Sequence, residues 1–172
     1  MCDQHSAGQK QTREETESMK LISYQSLAVL KILQQGEIYR ANPSISYAGE
    51  YAALIDLLGM DCACPVFCVV KWRRQNTGGK VSGLVQLQMK VPEDRVKLTE
   101  YGVWADFLYA YKFTKPGQYR VLQGDGTEIT NRRYQEILTD LQTRRKLSQY
   151  HYPQALLEEI RPEWLVKYRV RK

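Results

Sequence analysis

The amino-acid sequence predicts an α+β protein: a single compact domain with a mixed, mostly antiparallel sheet and four to five helices. Three observations predict it. The chain has 172 residues, the length of about one domain. Stretches of helical and of strand periodicity are interleaved without the regular alternation that a parallel βαβ sheet requires. No apolar run approaches the roughly 18 residues of a membrane span, and neither an internal repeat nor an interior linker is visible.

The elements follow in order. Residues 1–19 are polar, lack aromatics and contain no apolar signal-peptide core. They read as a flexible tail, leaving 20–172 as the domain. Residues 24–35 carry Leu27, Val29, Leu30, Ile32 and Leu33 at helical spacing, with Gly36 placed as a C-cap. Glu37–Ala41 reads as short and extended, ended by Asn42-Pro43. Tyr47, Tyr51, Leu54, Ile55 and Leu58 share one face of a helix over 45–58, closed by Gly59. PVFCVVKW (65–72) reads as a buried strand and 73–80, with Gly78-Gly79, as a loop. From 84 to 91 the pattern alternates: Val85, Leu87, Met89 and Val91 face one way and Gln86, Gln88 and Lys90 the other, as in a half-buried strand.

Pro92-Glu93-Asp94 signals a turn, with a short strand at 95–98. Thr99 caps a helix reaching Tyr111, whose apolar stripe is Trp104, Phe107, Leu108 and Tyr111. Tyr119–Leu122 reads as extended, Gly124–Gly126 as a turn, and Thr130 as the cap of a helix to Leu147. Pro153 suits the first turn of a short helix with Leu156, Leu157 and Ile160 inward, stopped by Pro162. The last segment alternates Trp164, Val166, Tyr168 and Val170 against Leu165, Lys167, Arg169 and Arg171, a terminal strand with one wet, basic face.

The net charge of +6 is concentrated at the C-terminal end. Residues 129–172 hold ten basic and five acidic side chains. A local positive field favours phosphate-bearing partners, so a nucleotide or nucleic acid is the expected polyanion partner of this basic quarter. The bland alternative is a solvated, mixed-charge helix face with a charged tail. No helix-turn-helix or zinc-finger spacing accompanies the basic residues.

Four cysteines stand at Cys2, Cys62, Cys64 and Cys68. Zinc sites favour separated ligand pairs, and no second pair exists here. Cys68 lies in an apolar run and reads as a small buried hydrophobe. No metal and no cofactor is expected, and the lack of a signal-peptide core predicts a cytoplasmic location, where thiols stay reduced. Phosphate-loop, dinucleotide-binding, zinc-protease and nucleophile-elbow motifs are absent. Of the two histidines, His5 is in the tail and His151 has no acidic neighbour in sequence, which argues against histidine catalysis.

Several segments together resemble one family. Tyr24-Gln25 is followed by VLKIL (29–33) and GEIYRA (36–41). The tyrosine-rich helix, PVFCVVKW, VQLQMKVPEDRVKLTEYGVWADFLYAY (85–111) and YPQALLEEIRPEWLVKY (152–168) come next. Over about residues 22–170 the chain resembles the bacterial domain-of-unknown-function family 3841. It departs from that pattern at Arg133-Tyr134, where the family tends to a Ser-Trp pair, and at Phe67-Cys68. The cysteines are therefore incidental to the resemblance, which itself implies no reaction.

Two functions compete. One is a cytoplasmic module that binds a nucleotide, a nucleic acid or an acidic partner, using tyrosines and tryptophans beside basic groups. Tyr39, Arg40, Trp72, Arg73, Tyr101 and Trp104 are its expected ligand-binding residues, with Tyr168-Arg169 a further place to look. The other is a small NAD-using enzyme of ADP-ribosyltransferase-like type. There Arg40 would orient the nucleotide, Tyr47 or Tyr51 would stack on it, and Glu100 would polarise the ribose.

Overall fold

A computed structural model describes residues 17–43, 48–73, 85–113, 121–122, 128–129 and 131–171. The elements are β1 (Ser18–Gln25), α1 (Leu27–Gln34), α2 (Ala48–Leu58), β2 (Val66–Val70), β3 (Val85–Pro92), β4 (Lys97–Glu100), α3 (Tyr101–Phe113), β5 (Val121–Leu122), β6 (Glu128–Ile129), α4 (Asn131–Gln142), β7 (Pro153–Leu157) and β8 (Leu165–Val170). Six strands form one sheet in the order β4-β7-β2-β1-β3-β8, and every neighbouring pair is antiparallel. β5 and β6 pair separately. The α+β class holds, and among the described residues the main sheet is wholly antiparallel. No helix among them is long and apolar enough to cross a membrane.

Five expectations are corrected. Tyr24 and Gln25 end a strand instead of opening a helix, and α1 starts at Leu27 after an extended Ser26. That strand begins at Ser18 and buries Met19, so the last two residues of the segment read as tail belong to β1. Residues 153–157 are strand β7, not helix. This strand lies between β4 and β2 with a core on each face, so Ala155, Leu156 and Leu157 are all buried. A strand apolar on both faces loses its period-two signature, and Pro153 is tolerated as its first residue. Thr99 lies inside β4, paired with Gln154, and does not cap α3. Helix α4 stops at Gln142, and a separate 3-10 turn occupies Leu147–Gln149. Gly36 and Gly59 do close α1 and α2, both with positive φ (81° and 59°), which glycine adopts without steric cost. Tyr47, Gly78-Gly79, Tyr119, Gly124–Gly126 and Thr130 lie outside the described residues.

The sheet has a core on each face. Helix α1 lays Val29, Leu30 and Leu33 against Leu21, Cys68, Val70, Leu87, Met89 and Ala155. On the opposite face α2, α3 and α4 bring Leu54, Phe107, Ile137 and Leu141 onto Leu156 and Phe67. Trp104 stacks there on Phe67, Phe107 and Tyr51, with ring centroids 5.6, 5.8 and 6.3 Å away. Among the described residues, this second core takes its sheet residues from β2 and β7 only. The same face of β1, β3 and β8 is left without a helix above it among the described residues.

Cys68 shows how dry the first core is. Burial pushes its thiol up to about 12, against the opposing hydrogen bond to Ser23. An unfolded thiol ionises near 9.0. Above that pH the unfolded chain releases a proton that the folded chain keeps, so stability falls as pH rises from about 9 toward 12. Urea midpoints at about pH 8.5 and about pH 10.5 are expected to show about 2 kcal/mol more loss in the wild type than in Cys68→Ala. Parallel losses in the two proteins would mean that Cys68 ionises freely.

Candidate functional site

The open half of the sheet is built by strand register. Lys20 stands opposite Lys90, Ile22 opposite Gln88 and Tyr24 opposite Gln86. Gln86 in turn faces Arg169, and Gln88 faces Lys167. Directly opposed residues in an antiparallel ladder project to the same side, so all of these share one surface. Ile22 also faces Val69, and the two-residue period adds Lys71 to the same side.

A register shift at Gln88/Met89 sets Leu165 opposite Met89, where it packs on the first core. Leu165 therefore leaves the wet face that its alternation with Lys167 suggested. A β-bulge flips which side the following residues take.

Six cations result: Lys20, Lys71, Lys90, Lys167, Arg169 and Arg171. Lys20, Lys90, Lys167 and Arg169 are exposed, and Lys71 and Arg171 are half-buried. None of the six makes an ion pair among the described residues. Among the described residues no carboxylate stands beside them on this face, where the other register positions are Ser18, Ile22, Tyr24, Val69, Gln86, Gln88 and Pro92.

Polar contacts organise the surface. Gln86 Nε2 donates to Tyr24 Oη at 3.2 Å. The Arg171 guanidinium lies 5.7 Å from the Tyr24 ring centroid, and its Nη1 is buried without a hydrogen-bond partner among the described residues. Lys71 Nζ donates to Gln88 Oε1 at 3.1 Å and sits 4.8 Å from the Trp72 ring centroid. Trp72 is thereby tied to the rim of the face, with 84% of its surface exposed.

Like charges directly opposed, as Lys20 and Lys90 are, destabilise a sheet by roughly 0.2–1 kcal/mol. Local rules are broken in this way chiefly where a surface is kept for function. Elsewhere several of the basic side chains are neutralised, although Arg144 and Lys146 are exposed and make no ion pair among the described residues. Arg132 and Arg133 pair with Glu136 and Asp106, Arg145 with Asp140, and Arg161 with Glu159. The largest group of unpaired cations in the C-terminal quarter thus lies on β8 and at Arg171 just after it, where it joins Lys20 from β1, Lys90 from β3 and Lys71 just after β2.

The sequence-derived candidates scatter. Trp72 reaches the basic face, but Arg73 turns back and donates from Nη2 to the Tyr150 carbonyl. Tyr39 forms a two-hydrogen-bond bridge with Ile160, and its hydroxyl is pushed above its ordinary range by burial and, secondarily, by Cys64. Arg40 is held by Glu159 at 2.5 Å. Trp104 is a core residue, 7% exposed. Tyr101 is exposed at the start of α3. Glu100 accepts backbone hydrogen bonds from His151 (2.8 Å) and Tyr152 (2.6 Å), so it ties β4 to the entry of β7.

Arg40 lies beside the Ile160 end of the β7 segment and Glu100 beside Pro153. At about 3.3 Å per residue the two ends are on the order of 20 Å apart. The arginine–glutamate pair that ADP-ribose chemistry needs in one pocket is not brought together. A cavity of about 940 Å³ lies elsewhere, between the end of α2, the turn before β4 and residues 141–147. Its rim mixes Asp56 and Asp94 with Lys97 and Arg144.

Lys20, Tyr24, Lys71 and Lys90 were not among the sequence candidates. The polar side of the 84–91 alternation was visible, but its adjacency to β1 and β8 was not. No protein-family model, curated protein or solved structure matches the chain, and the resemblance to family 3841 rests on the segments quoted above.

Proposed function

We propose that this chain is a nucleic-acid-binding module that receives phosphates on the open face of β1, β3 and β8. The observation that carries this reading is the set of six cations on one uncovered surface, without an ion pair or a neighbouring carboxylate among the described residues. From Lys167 through Arg169 to Arg171 cations recur at every second residue, about 6.8 Å apart along the strand direction, so a chain of repeating anions can meet several at once. Gln86 and Gln88 supply amide groups of the kind that bond base edges.

β3 and the first four residues of β8 fall in the 85–111 and 152–168 segments of the family 3841 resemblance, and we extend the reading to that family. A cytoplasmic location suits the free thiols Cys62, Cys64 and Cys68.

Salt dependence tests the reading. A labelled oligonucleotide is titrated by fluorescence anisotropy at increasing salt. With four to six phosphates neutralised, log K should fall linearly with log salt, with a slope of about −3 to −5. Absence of binding at about 50 mM salt, or a slope near zero, would contradict phosphate recognition.

A further inference from the structure

We propose that the nucleic acid on this face is single-stranded and that Trp72 stacks on one of its bases. The inference rests on the reading of the face given above and names the form of its partner. Trp72 is 84% exposed, whereas Trp104 and Trp164 are each 7% exposed. An indole left in water forgoes the burial that makes tryptophan useful to a fold. Its backbone is also in the left-handed region at φ 73°, an uncommon and costly conformation for a bulky residue. Nothing in the two cores needs that side chain, so its position serves something outside the fold.

The ring is set up to stack. The Lys71 ammonium is 4.8 Å from its centroid, and the same ammonium bonds Gln88 on the basic face. A cation beside one side of the indole steadies it and leaves the other side to a partner. Every unpaired base offers a π-face, and base–aromatic stacking is the recurring device of single-strand binders.

A duplex is a poor fit. Its bases are paired and stacked inward, out of reach of a ring at the edge of a sheet. The major groove, about 12 Å wide, admits a helix or a two-stranded ribbon. Three strands at about 4.8 Å spacing, with their side chains, exceed that width. A duplex could touch this surface only through its phosphates, and Trp72 would stay in water.

Intrinsic fluorescence tests the inference, because Trp72 is the exposed one of three tryptophans. Four probes are titrated at low salt: a 20-nucleotide single strand, the duplex of the same sequence, inorganic polyphosphate, and phosphatidylserine vesicles. The single strand is expected to bind most tightly and to quench emission. Polyphosphate and duplex should bind more weakly and leave emission unchanged. Trp72→Ala should abolish the quench and weaken single-strand binding by about five- to a hundredfold without altering polyphosphate binding, and Trp72→Phe should restore part of the affinity.

Equal affinity for both nucleic-acid forms, with no quench and no effect of Trp72→Ala, would overturn stacking and leave the phosphate reading standing. A blue shift with vesicles and no response to the single strand would overturn it in favour of a membrane surface. Failure of all four probes to bind would overturn the nucleic-acid reading itself. Trp72→Ala removes an exposed side chain, so its far-ultraviolet circular dichroism and urea midpoint should match the wild type.

Discussion

Reversing three charges, Lys90→Glu, Lys167→Glu and Arg169→Glu, is expected to lower nucleic-acid affinity by on the order of a hundredfold or more at about 50 mM salt and to flatten the salt slope by about three. One residue comes from β3 and two from β8, and all three are exposed. Exposed substitutions of this kind usually move stability by less than about 0.5 kcal/mol each. Lys90→Glu would even set a carboxylate opposite Lys20 and remove the like-charge pair. The loss should therefore appear in binding, with the urea midpoint nearly unchanged.

Net charge alone needs a control. Arg132→Glu, Arg144→Glu and Lys146→Glu change three exposed positions on α4 and the segment after it. Each reversal removes two charges, so both triple variants bring the chain from +6 to zero. The control should keep most of the affinity. An equal loss in the two proteins would mean that a diffuse field, and not the sheet face, holds the ligand.

Much of this face was legible as pattern, and little of it as place. Half-buried strands alternate, so the Gln86–Gln88–Lys90 side of β3 and the Lys167–Arg169–Arg171 side of β8 stood out from spacing alone. Their adjacency depends on pairing across about 80 residues, which local periodicity does not encode. β1 was hidden for a chemical reason. Ser23 occupies an inward position, where its hydroxyl donates to the Phe67 carbonyl at 3.1 Å, and Ile22 takes an outward one. Polar-in and apolar-out at consecutive residues erase the alternation, and Tyr24-Gln25 then merges with the helical pattern that follows.

β7 was obscured by the opposite effect, burial on both faces. Trp104 carried two readings in the sequence, a candidate ligand-binding aromatic and a member of a helical apolar stripe. The stripe decided its place, because burying an indole against Tyr51, Phe67 and Phe107 outweighs leaving it in water. Trp72 had no such stripe, and it is the aromatic that stayed outside.

The division of the sheet makes a second large effect separable from binding. Phe107→Ala should destabilise the fold by about 3–5 kcal/mol, a large part of the roughly 5–15 kcal/mol that holds a domain together. Phe107 is 2% exposed, stacks on Trp104 at 5.8 Å and lies in the α2–α3–α4 core. Urea unfolding would measure the loss, and near-ultraviolet circular dichroism would report the released Trp104.

The binding face belongs to the other half of the sheet. β1 and β3 are paired over eight residues and packed from below on α1, whose core shares no buried residue with that of Phe107. Sites with no shared partners couple weakly, so at a temperature where Phe107→Ala is still folded its affinity should stay within about twofold of the wild type. A large loss of binding in the folded variant would move the interface onto the helical layer, and a destabilisation below about 1 kcal/mol would show that this layer is not packed on the sheet as described.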